Sequence, residues 1–135
     1  MCVALTDRIG VGYLNMQTTA AGGAISTFVE RVETWGSPDI PVFRQAAIGM
    51  TLDDLIERYG LPAPHHIKID VDGLEDKIVA GGQRTLQDRR VRSVLLELDR
   101  RREGHRAVME RMAAWGYVVI ERGGGDNHVF ERQSA

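Results

Sequence analysis

The segment IKIDVDGLE, from Ile67 to Glu75, constrains the fold of this chain more than any other stretch. It begins with the apolar alternation of a buried β-strand and then changes to three acids around a glycine. Carboxylates crowded at a strand end repel one another and are costly to remove from water, unless a cation or a proton transfer needs them there. The segment therefore predicts a strand that delivers acids to a functional site.

Strand and helix patterns alternate along the rest of the chain. Thr51 is a good N-cap, two acids follow it, and Gly60 ends the helix. Residues 18–27 are predicted to form a loop, and Phe28–Trp35 is ambiguous. Strands are predicted at Cys2–Leu5, Val11–Met16, Ile40–Ile48, His66–Val71 and Val91–Asp99, helical segments at 74–82, 85–86 and Arg106–Trp115, and a hairpin at the C-terminus. This order predicts one α/β domain, residues 1–135, with a mostly parallel sheet and an antiparallel C-terminal hairpin.

Composition limits the partners and the compartment. With 43% hydrophobic and 27% charged residues, the chain resembles an ordinary soluble globular protein. Its net charge of −2 gives no electrostatic reason for a nucleic-acid or membrane partner. One cysteine, no long apolar run and no secretory signal predict a cytoplasmic protein. Acids lie directly beside the arginine runs at 89–92 and 100–102, which favours a solvated surface over a phosphate site.

Acids also close the next predicted strand, at Glu97 and Asp99. Ligands of open parallel sheets bind beyond the carboxyl ends of the strands, so these acids and Asp70 are expected to converge if the strands are neighbours. A structural alternative is that Asp72 and Glu75 only favour the start of the next helix. The carboxylate oxygens of Asp70, Asp72 and Glu75 are hard ligands, so the binding of a divalent metal ion is a further alternative, although no metal ligand is assigned. Lys68 either reaches solvent or pairs with an acid.

Several motifs together resemble one family. HHIKIDVDGLEDKIVAGGQRTL resembles the segment of FkbM-type S-adenosylmethionine-dependent methyltransferases in which IKIDVEGxE is followed by vlxGxxxxL. The flanking segments are similar to that family in the same order: VALTDRIGVGYL, MTLDDLI, VLLELD and WGYVVIERGGGDNHVF. Asp72 is a departure, because the family usually has Glu there.

The resemblance implies a class I, Rossmann-like methyltransferase sheet with strand order 3-2-1-4-5-7-6. It places Asp70 and Glu75 at the active-site end of strand 4 as catalytic residues. It also implies that Ala4, Leu5 and Asp70 contact the cofactor S-adenosylmethionine. The expected reaction is methyl transfer, with a hydroxyl of a small molecule or sugar as the acceptor.

The family's glycine loop and the strands around it, strands 1 and 2, have no counterpart in the sequence. GGAISTF and GGGDN are glycine-rich, but neither lies between a strand and a helix as that loop requires. We therefore expect a C-terminal part of a longer methyltransferase, or a shortened relative. Without strand 1, strand 4 becomes an open edge that could pair with another copy.

Two other functions remain open at this stage. One is a non-catalytic interaction module that keeps the fold and associates through its open edge. The other is a metal-dependent phosphatase, since DVDG is similar to the DxDG nucleophile loop. Leu74 after the glycine and the position in the middle of the chain disfavour the phosphatase.

Overall fold

The computed structural model describes residues 2–21, 26–29, 41–71, 73–102, 104–122 and 126–133. These residues form eight strands and four helices, and strands alternate with helices in the second half of the chain. The strands form two four-stranded sheets. The strands are β1 (Ala4–Leu5), β2 (Gly10–Met16), β3 (Ser26–Val29), β4 (Phe43–Met50), β5 (His66–Ile69), β6 (Ser93–Glu97), β7 (Tyr117–Arg122) and β8 (Asn127–Arg132). The helices are α1 (Leu52–Tyr59), α2 (Glu75–Gly81), α3 (Gln83–Gln87) and α4 (Gly104–Ala114).

Helix α1 is capped at both ends as predicted. The Thr51 hydroxyl oxygen accepts a hydrogen bond from the backbone N–H of Asp54 at 2.9 Å. Gly60 ends the helix with φ of 59°, a left-handed conformation in which its N–H reaches the carbonyls of the last turn. These local signals depend on few tertiary contacts, which explains why the sequence located both ends.

The second sheet has the order β5-β6-β8-β7 and carries the main core. Strands β5 and β6 are parallel, whereas β8 is antiparallel to both β6 and β7. Alternate side chains point to one face, where Val94 and Leu96 are fully buried and Phe130 is almost so. Helices α2, α3 and α4 pack on that face. The strand predicted at Val91–Asp99 is shorter in the structure, where it spans Ser93–Glu97. The predicted C-terminal hairpin is confirmed by the antiparallel pair of β7 and β8.

The first sheet has the order β1-β4-β2-β3. Strand β1 is parallel to β4, and β2 runs antiparallel to β4 and to β3. Strand β3 lies where the sequence predicted a loop and an ambiguous segment. The ring of Phe28 covers Gly12 and Gly49, where any side chain would overlap it. Leu5 in turn packs against the core of the second sheet.

The prediction of a mostly parallel sheet is wrong. Of the six strand pairings in the described part of the chain, two are parallel and four are antiparallel. A parallel connection needs a crossover of about a dozen residues or more. The segments 17–25 and 123–126 are too short for that, so each joins antiparallel neighbours. The α/β class is confirmed, and the order β5-β6-β8-β7 agrees with the 4-5-7-6 part of the expected order.

Candidate active site

Two acids meet at the carboxyl ends of β5 and β6. Asp70 follows Ile69 directly, and Ile69 pairs in parallel register with Leu96, so the next positions, Asp70 and Glu97, lie side by side. The Glu97 side chain is close enough to the Asp70 carboxyl group to affect its pKa. Since carboxyl ends of parallel strands share one sheet edge, the predicted convergence of Asp70 with Glu97 is confirmed.

Lys68 completes this group from within β5. Its Nζ lies 2.7 Å from Oδ2 of Asp70, and the two side chains are 64% and 42% exposed. Residues i and i+2 of a strand face the same side, which is why the lysine reaches this acid. Lys68 therefore pairs with an acid, one of the two outcomes that the sequence left open.

The group keeps Asp70 ionised. The hydrogen bond from Lys68 is the largest cause that lowers the pKa of Asp70, followed by the interaction with Glu97 and the attraction of the Lys68 charge. The same partner raises the pKa of Lys68. At neutral pH Asp70 is thus a carboxylate that solvent or a ligand can reach.

Glu75 has the opposite environment. It is the first residue of α2, it is only 8% exposed, and its Oε1 accepts a hydrogen bond from the N–H of Gly73 at 3.2 Å. Burial is the largest effect on its pKa and raises it, while the Gly73 bond and the Arg102 charge act in the lowering direction. The two acids that the sequence singled out therefore differ in exposure and in pKa.

Arg102 fills the space above the turn between β5 and α2. Gly73 has φ of 97°, and a Cβ on it would overlap the guanidinium of Arg102. Only glycine combines this backbone angle with that close approach. Asp99 does not join the Asp70 group in a described bond, because its carboxylate is held by the backbone and guanidinium of Arg101 at 2.9–3.0 Å.

Ala4 and Leu5 form β1 and lie in the other sheet, paired with Gly49 and Met50. Both are half-buried, and Leu5 packs against the core beneath α2. Their contact with a cofactor stays a prediction. The sequence did not single out Arg102, which it assigned to a solvated surface. No local signal could have found it, since its position over Gly73 depends on how the loop after β6 folds back.

The described residues do not include a glycine-rich loop between a strand and a helix, which is the element expected to hold S-adenosylmethionine. They contain one glycine between a strand and a helix of the second sheet, Gly73, and Arg102 occupies the space there. The glycines of GGAISTF and GGGDN lie outside the described residues, as does Asp72. In the described ranges no three His, Cys, Asp or Glu side chains are close enough to hold a metal ion. None of the described helices is long and apolar enough to cross a membrane.

Comparison with known protein families gives one match. The sequence model of the methyltransferase FkbM domain matches residues 4–119, which includes every candidate residue named above. Neither the curated proteins nor the solved structures gave a significant match. The match covers most of the chain. The chain therefore belongs to the FkbM methyltransferase family.

Proposed function

We propose that this chain acts in S-adenosylmethionine-dependent methyl transfer to a hydroxyl group of a small molecule or sugar. The observation that carries the proposal is the Asp70 and Glu97 pair at the carboxyl ends of two parallel neighbours. That edge is where open α/β sheets bind their ligands. The family match supports methyl transfer and gives no support to the phosphatase alternative.

Asp70 is the residue we assign to the acceptor hydroxyl. Reach comes before pKa in choosing a base, and the Asp70 side chain is 42% exposed whereas Glu75 is 8% exposed. The ionised carboxylate accepts the hydrogen bond of the hydroxyl and orients its oxygen. Lys68 holds the carboxylate by its ion pair, and Glu97 lies beside it in the neighbouring strand.

Glu75 has a positioning role in this proposal. Its bond to the Gly73 N–H and its attraction to Arg102 fix the turn that follows Asp70. S-adenosylmethionine supplies an electrophilic methyl group when it is bound. We assign no contact of the described residues to that cofactor beyond the expectation for Ala4, Leu5 and Asp70.

The test is transfer of a radiolabelled methyl group from S-adenosylmethionine to a panel of hydroxyl compounds that includes simple sugars. We expect label on hydroxyl oxygen with the wild-type chain. Asp70→Asn should lower the rate by about 10²–10⁴-fold, the usual contribution of a positioned proton acceptor. Asp88→Asn is the matched control, since Asp88 is also a carboxylate paired with a basic side chain, here Arg90, but lies before β6.

Equal rates for Asp70→Asn and the control would remove Asp70 from the reaction. Absence of transfer to every compound would contradict the proposed activity of this chain.

A second candidate function is an interaction module that associates through β5. Within the described part of the chain, β5 pairs only with β6, so its other edge is open. Backbone groups on an open edge are a template for a further strand. This function predicts dimers in sedimentation experiments and no methyl transfer. A monomer at high concentration, with β5 amides protected from exchange, would exclude it.

A further inference from the structure

A polar cleft lies at the end of the second sheet opposite to Asp70. It has a volume of about 750 Å³ and is formed where β6 begins, β7 begins and β8 ends. Its lining includes three arginines and one indole: Arg89, Arg92, Arg132 and Trp115. The volume falls within the range of about 300–1,000 Å³ that small-molecule sites occupy.

The floor of the cleft is rigid because Arg132 is held by the backbone. Its guanidinium donates to carbonyl oxygens of four residues and to one hydroxyl, at 2.6–3.2 Å. The acceptors are the carbonyls of Leu86, Asp88, Val91 and Trp115 and the hydroxyl of Tyr117. Because no carboxylate pairs with Arg132 in the described residues, its positive charge is retained in the cleft.

The rim of the cleft carries two more cationic side chains, Arg89 and Arg92. The guanidinium of Arg90 donates hydrogen bonds to the Asp88 carboxylate at 2.6–3.1 Å, and that of Arg101 donates to Asp99 in the same way. Arg89 and Arg92 are exposed, and their guanidinium groups have no bond or ion pair among the described residues. The sequence alone favoured a solvated role for this whole run, but the fold separates its members.

We infer that this cleft binds a small phosphate monoester, with the phosphate at Arg89 and Arg92 and the attached ring against Trp115. Guanidinium groups bind phosphate oxygens in a bidentate way, and they keep their charge at any physiological pH. The half-buried indole lines the cleft, where an aromatic ring can stack with a sugar or a base. Glu131, also in the lining, can accept hydrogen bonds from ring hydroxyls.

The inference is independent of the proposed methyl transfer. The cleft lies at the amino ends of β5 and β6, where the backbone N–H of Arg92 bonds to the carbonyl of His65 at 2.7 Å. Asp70 and Glu97 lie at the carboxyl ends of the same strands. Loss of binding in the cleft is therefore expected to leave the acids unchanged.

Calorimetric titration of the whole chain with inorganic phosphate, a hexose phosphate and adenosine monophosphate tests the inference. We expect the two esters to bind, and inorganic phosphate to bind more weakly because it lacks the ring. Arg89→Gln with Arg92→Gln should weaken each ester by about tenfold or more, the usual loss for hydrogen bonds to a charged group. Arg100→Gln, an exposed arginine near the other end of the sheet, should have no effect.

Trp115→Phe separates ring recognition from charge. It should weaken the esters relative to wild type but leave inorganic phosphate unchanged, because only the ring contacts the indole. The double arginine variant should keep the wild-type melting temperature, since neither side chain makes a bond in the described fold. No binding of any probe at millimolar concentration would overturn the inference. Ester binding that survives in the double variant would overturn it as well.

Discussion

The two ends of the second sheet carry opposite charges and differ in the groups that surround those charges. At the amino ends, Arg132 is surrounded by carbonyl oxygens and the Tyr117 hydroxyl, and its guanidinium lies 4.3 Å from the centre of the Tyr117 ring. At the carboxyl ends, the acids Asp70 and Glu97 lie together, and the exposed Lys68 pairs with Asp70. The first arrangement stabilises the fold. The second brings like charges together, which the fold alone does not need.

Removal of Arg132 should have the largest effect on stability. Arg132→Met leaves the carbonyls of Val91 and Trp115 without their donor, and the free energy of unfolding should fall by about 3 kcal/mol or more. Urea unfolding measures this change. Arg106→Met removes only an exposed pair with Glu110 and should alter the unfolding free energy little. Equal effects of the two variants would contradict a stabilising role for the amino end.

The same substitution, glycine to alanine, at Gly73 and at Gly116 allows the two ends of the second sheet to be compared. Both have positive φ, 97° and 83°, but a Cβ would meet Arg102 at Gly73 and no atom within 4 Å at Gly116. Gly116→Ala should cost about 1–2 kcal/mol of unfolding free energy from backbone strain alone. Gly73→Ala should cost more because it also displaces Arg102. In the Arg102→Ala background the two costs should become equal, and a difference that persists would point to another cause.

The burial of Glu75 predicts a pH-dependent gain in stability. Its pKa in the folded protein lies above the ordinary 4.5, so folding disfavours the charged form. This contribution favours the native state below pH 4.5 and is lost as pH rises through the folded pKa. Glu75→Gln should therefore raise the melting temperature at pH 7 and have little effect below about pH 4. A lower melting temperature at pH 7 would show that the Gly73 and Arg102 contacts outweigh burial.

The pairing of Lys68 with Asp70 should have the smallest effect on stability, because both side chains are exposed. Its effect on the pKa of Asp70 is expected to be measurable. Lys68→Met removes the largest cause of the lowered pKa, so Asp70 should titrate at a higher pH than in the wild type. Carboxyl NMR titration measures this shift. Asp99, held near a pKa of about 2 by Arg101, should not move.

Features that depend on neighbouring residues were predictable from the sequence. The helix that begins after Thr51, the strand that leads to Asp70 and the hairpin all follow from capping, alternation and turn residues, although the strand was predicted to reach Val71 and ends at Ile69. The convergence of Asp70 with Glu97 was predictable because it needs only that the two strands be parallel neighbours.

Features that depend on distant contacts were not predictable. Strand β3 exists because Phe28 covers the glycines of β2 and β4, and no local pattern indicates that contact. The separation of Arg89 and Arg92 from Arg90 depends on which guanidinium the Asp88 carboxylate reaches. The position of Arg102 over Gly73 likewise requires the folded loop.

Backbone amide NMR of the chain during titration with S-adenosylhomocysteine, the demethylated product of the donor, distinguishes the two ends of the sheet. If the acids at the carboxyl ends mark the reaction site, chemical shifts should change at residues 70–75 and 97–99. The amide chemical shifts of Arg89, Arg92 and Arg132 should not change. Changes confined to the arginine end, or no change at saturating ligand, would contradict the assignment of Asp70 to methyl transfer.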